Sequence, residues 1–259
     1  MKISNIKENA RVALTGKWGK GALIVLAYLV VFIIAGMVIG LLGGDETLIG
    51  SILDLAVTII QVPIALGLIF AFIKLKRNED VKAFGFLKLG FANFGRAWKI
   101  SLRIALKTIL PLVLLIVGTV MISTAFITYS ASAILGSTGE ASLGILLVGG
   151  ILYLVSMIWF AVRSLLYSLS WYIAYDNPNM TALEVVNESA RMMKGNRWKI
   201  FLLDLSFIGW ALLAVFTLGI GYLWLAPYMQ VSTICFYEQL LGKKEDNNNE
   251  NNVEAIQEF

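Results

Sequence analysis

An all-α, polytopic transmembrane helical bundle is the fold class this sequence predicts, and three observations predict it. Of the 259 residues, 58% are hydrophobic and only 15% charged, against about 25% charged in a soluble domain, and the mean hydropathy is +0.79. The apolar residues come in runs of about 20, the number that crosses a bilayer core as helix. The third observation is that all 21 lysines and arginines fall in alternate connecting segments.

Taken in order, the expected spans are 22–42, 48–73, 108–128, 143–162, 200–216 and 222–241. The first follows Lys17 and Lys20 and is too long for a secretory signal core, so it reads as a retained span. The last two form one apolar block from Ile200 to Tyr237. Gly219 and Gly221 at its midpoint predict a tight reversal there; a single span with a re-entrant piece is the competing reading. Residues 1–242 are thus expected to form one six-span domain, and the acidic, Asn-rich tail 243–259 to be disordered.

Orientation follows from charge. The first 20 residues, the segments 74–107 and 163–199, and the tail hold every basic residue. The loops at 43–47, 130–142 and 217–221 hold none. The positive-inside rule places the basic side, with both termini, in the cytoplasm of a cell-membrane protein.

Each cytoplasmic segment ends alike: Gly16-Lys17-Trp18-Gly19-Lys20, Gly95-Arg96-Ala97-Trp98-Lys99 and Gly195-Asn196-Arg197-Trp198-Lys199. Glu8-Asn9-Ala10-Arg11 also recurs as Glu188-Ser189-Ala190-Arg191. The repetition predicts three parallel helical hairpins, each introduced by an amphipathic interfacial helix and anchored by Trp18, Trp98 or Trp198. In the third copy Thr181-x-x-Glu184 is a capping box, Leu183, Val186, Ala190 and Met193 make the expected apolar stripe, and Gly195 suits the C′ position.

Composition also narrows the chemistry. The charge of +4 lies beside apolar runs and orients spans, so no nucleic-acid partner is expected. There is no histidine, which removes His-based triads and Cys/His zinc sites. Cys235 sits in an apolar run and reads as a packing residue. Neither catalytic residues nor a cofactor or metal is expected.

Ionisable and polar groups within spans are the remaining candidates, because they are costly there. Ser51, Asp54, Thr58 and Gln61 lie on one stripe of the second span and are expected to face other helices, either lining a solute or proton path or bonding between helices. Asp204 and Arg163 lie at the cytoplasmic ends of their spans, where they can pair. Gln230, Thr233 and Tyr237 stripe the sixth span. Pro63 and Pro227 each free a carbonyl and can kink a helix.

Asp176-Asn177-Pro178, Met192 to Asn196, Ser206 to Trp210, Thr217 to Gly221, and Pro227-Tyr228 through Phe236-Tyr237-Glu238 occur in that order. On these strings the chain resembles, over about residues 8–241, the bacterial integral membrane family catalogued as domain of unknown function 975. Its hairpin layout is distantly similar to the membrane domain of some glycerophosphodiester phosphodiesterases. The resemblance implies a bacterial cytoplasmic-membrane protein and carries no activity. Two readings follow. One is a non-enzymatic scaffold, accessory or envelope-stress component whose partners are the lipid bilayer and a membrane protein or second copy. The other is a small transporter or channel-like protein for a solute, proton or lipid-like molecule.

Overall fold

The computed structural model describes residues 2–135 and 140–257. The side chains of 45, 133, 135, 140, 141 and 243 onward lie outside that description, and with them the expectation for the tail. Among the described residues there are helices and turns and no strand. The helices are α1 Ile3–Leu14, α2 Trp18–Leu41, α3 Leu48–Lys76, α4 Gly85–Ala92, α5 Phe94–Leu135, α6 Glu140–Tyr167, α7 Ser170–Asp176, α8 Ala182–Met193, α9 Arg197–Leu205, α10 Ile208–Phe216 and α11 Tyr222–Gln257. A 3₁₀ turn, Gly44–Glu46, joins α2 to α3.

Five of these stretches are long and apolar enough to cross a membrane: Trp18–Leu41, Leu48–Lys76, Phe94–Ser132, Ser142–Asp176 and Arg197–Phe216. The stretch expected as a sixth span is not among them, and the reason is visible in its packing. On α11, Val231, Ile234, Phe236 and Tyr237 are at most 1% exposed, against α1, α2 and α3. A helix wrapped in protein can carry Gln230, Ser232, Thr233 and Glu238 on its length, which lowers its hydropathy.

The chain forms two compact units, residues 1–101 with 169–259, and residues 102–168. In the first, α4 lies against α3 at backbone contact. A Cβ on Gly67 would meet the carbonyl of Phe86 at 2.0 Å, and one on Gly90 the carbonyl of Pro63 at 2.3 Å. Small residues are what let helices approach this closely. In the same way Gly21 of α2 would bring a Cβ to 3.0 Å from the Pro227 ring. In the second unit, Gly118 and Gly149 let α5 and α6 approach, with Tyr153 and Met121 seated against them. Hydroxyls of Thr119, Ser123, Thr124 and Thr128 donate back to their own helix's carbonyls, so this polar run needs no partner.

At 217–221, where a reversal is expected, the chain makes a tight turn between α10 and α11. Leu218 and Gly219 have φ of 53° and 85°, and Thr217 Oγ1 both donates to Ala214 O and accepts from Gly221 N. The links from α1 to α2 and from α8 to α9 share one backbone. Thr15 (φ −57°, ψ 126°), then Gly16 (φ 75°), then Lys17 (φ −123°, ψ 2°) lead α1 into α2. Lys194 (−62°, 121°), Gly195 (80°) and Asn196 (−113°, 0°) lead α8 into α9. The middle segment differs. Its break falls at Asn93, and Gly95 lies inside α5. At 42 residues, α5 is about 63 Å long, twice the hydrocarbon thickness.

The capping box holds: Glu184 N donates to Thr181 Oγ1 at 3.3 Å, and Thr181 N to Glu184 Oε2 at 2.8 Å. The expected apolar stripe is rotated, however. Val185, Val186, Ser189 and Met193 are the buried face and Leu183 is exposed, because α8 packs on α7.

Candidate functional site

Two constructions in the first unit bring distant segments together. The first gathers charge at one end of the bundle. Arg77, just past α3, makes a two-pronged bond to Asp176 at 2.6 and 3.0 Å, and its Nε lies 3.7 Å from Glu238. Lys76 pairs with the same Glu238. Lys17 donates to Leu75 O at 2.9 Å and to Asn78. From α5, Arg96 donates to the carbonyls of Pro178, Asn177 (2.6 Å) and Met180 (3.3 Å). The Asp176-Asn177-Pro178 loop is thereby clamped between two guanidiniums. Apart from Arg96 Nε, these groups are spent on one another or on backbone, which suits fastening α3, α7 and α11 together rather than binding.

The second is a groove of about 760 Å³ between α1, the start of α2 and the α10–α11 hairpin. It exists because the fifth apolar stretch is broken. Between α9 and α10, Ser206 offers its carbonyl and hydroxyl oxygens to Lys7 Nζ at 3.3 and 3.2 Å. The ammonium also sits 4.6 Å from the centre of the Phe207 ring. Tyr228 OH donates to Lys7 O at 3.3 Å, and Ile6, Ala10 and Leu14 are fully buried on the other side of α1. α1 is thus fastened to the stretch from α9 to α11. Burial, and then Arg11 one turn on, lower the pKa of Lys7. Trp18, Trp210 and Trp224 wall the groove.

The residues singled out in sequence are dispersed. Asp54, Thr58 and Gln61 are exposed on one face of α3, with exposed Ile52, Leu55 and Ile59 beside them. Asp204 is exposed on α9, while Arg163 belongs to the other unit, where it reaches Tyr167 OH at 3.4 Å. Gln230 accepts from Tyr172 OH at 3.1 Å. Pro63 and Pro227 are buried within the continuous helices α3 and α11. Trp198 is 74% exposed, Trp18 is half-buried, and Trp98 donates its indole N–H to Ile59 O at 3.1 Å. Among the described residues no group of three or more Cys, Asp or Glu is placed to hold a metal.

Lys7, Arg11, Trp210 and Trp224 were not singled out in sequence. The signal was present in Lys7 and Arg11, four apart and opposite Ile6 and Ala10, but nothing in the string shows that they face a hairpin 200 residues on.

An all-helical chain with several bilayer-length apolar helices is a polytopic membrane-embedded protein. The family described as protein of unknown function (DUF975) matches residues 1–244, and the chain belongs to it. No curated protein and no solved structure matches the chain.

Proposed function

We propose that this chain is a non-enzymatic scaffold or accessory protein of the bacterial cytoplasmic membrane, an envelope-stress component among the roles such a protein fills. In this reading it crosses six times with both termini inside, as three hairpins. The basic residues support the topology by all falling on one side, and the reversal at 217–221 supports α11 as the returning span.

One observation carries the scaffold role: the open polar stripe of Asp54, Thr58 and Gln61 on α3. Polar groups presented to lipid are costly, and those in spans are normally met by other helices. A span of a second membrane protein, offering donors to Asp54 and Gln61, fits this face. The test is a photo-crosslinking residue in place of Thr58, activated in native membranes. A discrete adduct heavier than the 28.5 kDa chain is expected. Adducts confined to the chain itself, or to lipid, overturn the reading. The transport alternative is separated by flux in proteoliposomes: it requires a leak that Asp54→Asn alters, whereas the scaffold reading expects none.

A further inference from the structure

We propose that the groove between α1 and the α10–α11 hairpin is a binding site for one anionic phospholipid of the bilayer, its phosphate at Lys7 and Arg11 and an acyl chain along Trp210, Leu213 and Trp224. This stands apart from the partner-binding face on α3.

The charge is at one end. Lys7 is half-buried, and its partners are neutral: two oxygens of Ser206 and the Phe207 ring. No carboxylate pairs with it, so its charge lacks a counter-ion, and a phosphate offers what the fold leaves out. Arg11 lies on the same lip and forms no ion pair among the described residues. Glu8 is the opposing charge there; it is exposed, and the lip keeps a net charge of about +1 by this count of three side chains.

The remaining length is apolar. From Ser206 to Thr217 the wall runs about 16 Å at helical rise, the scale of an acyl chain rather than of a headgroup alone. Trp210, Leu213 and Trp224 are 59%, 57% and 49% exposed, so the groove opens sideways. For a spanning hairpin, that side is the hydrocarbon. Trp18, which also lines the groove, stands at the start of α2, where indoles mark the boundary of headgroup and chain. A free phosphate would satisfy only the lip, and a soluble anion would leave the wall unused.

The experiment uses the full chain in mild detergent, titrated with phosphatidylglycerol and phosphatidylcholine of identical chains and read by native mass spectrometry. Phosphatidylglycerol should bind about fivefold more tightly, the effect of one basic residue near a lipid surface. Arg11→Gln, which removes no bond of the fold, and Lys7→Gln should each bring the ratio towards one. Lys243→Gln with Lys244→Gln, the same kind of charge loss in the tail, should leave it unchanged. Leu213→Trp, filling the wall, should weaken the retention of phosphatidylglycerol. Equal affinity for the two lipids in the wild-type chain overturns the proposal. So does an Arg11→Gln protein that keeps the full preference, a tail variant that loses it, or displacement of bound lipid by glycerol phosphate.

Discussion

The indole N–H of Trp98 lies 3.1 Å from the carbonyl oxygen of Ile59, and Ile59 is four residues before Pro63. A proline has no N–H, so it leaves the carbonyl one turn earlier without its helical donor. In a bilayer no water replaces it. Trp98 supplies the missing donor from another helix. Removing the indole N–H with Trp98→Phe should therefore cost about 1–2 kcal/mol, the penalty of an acceptor left without a donor and away from water. In a Pro63→Ala background, where the backbone provides its own N–H, the same change should cost less than half as much. Unfolding in denaturant and mixed micelles measures both arms; equal costs in the two backgrounds would remove the capping role. Half of this was legible. The sequence shows that Pro63 frees a carbonyl and that Trp98 suits the membrane boundary. The pairing was not, because it depends on how α5 sets its first turn against α3, 39 residues away.

At the scale of elements, start and stop signals read more truly than faces. Thr181, Glu184 and Gly195 act as their residue types require. Gly16 and Gly195 repeat one left-handed exit, so the first and third interfacial segments are the same device. The middle segment shares the string Gly-x-x-Trp-Lys with the third but not the device, since Gly95 is an ordinary helical residue. The buried face of α8 is harder to read, because Leu183 and Val185 are both apolar and periodicity alone does not choose between them. Contact with α7 chooses Val185. The capping box makes a pH prediction. The Thr181 backbone N–H, and then its hydroxyl, hold the Glu184 carboxyl below its ordinary value. A carboxylate depressed in the folded state stabilises above its unfolded pKa, about 4.3, and loses that contribution as pH falls through the folded value. Amide protection factors at the start of α8 should thus decline below about pH 4 in the wild-type chain. Glu184→Gln, which can still close the box, should show no such step. Thr181→Ala should lower helix stability by about 1 kcal/mol at neutral pH. A wild-type profile matching that of Glu184→Gln would show that the carboxylate does not act as a cap.

Hydropathy measures what surrounds a helix, and that explains both what the sequence revealed of the whole molecule and what it hid. Apolar stretches that stay largely uncovered, such as Trp18–Leu41, announce themselves. The residues of α11 face α1, α2 and α3 instead, so the helix at the centre of its unit has the least span-like composition. Charge does not share that weakness, because basic residues resist translocation wherever the helices pack. The two signals therefore disagree at α11 alone, five apolar stretches against a charge pattern that asks for six crossings, and the disagreement is open to one measurement. Cys235 is 4% exposed and can be replaced by alanine to give a background without thiols. Single cysteines at 45 and 140 should then react with an impermeant maleimide on intact cells, and those at 88 and 188 only after permeabilisation. Lys244→Cys decides the count. If α11 crosses, position 244 is protected like Lys2→Cys at the other terminus; if it does not, 244 labels from outside while position 2 stays protected. Protection at both ends is the expected result, since a tail holding Lys243 and Lys244 belongs with the other nineteen basic residues.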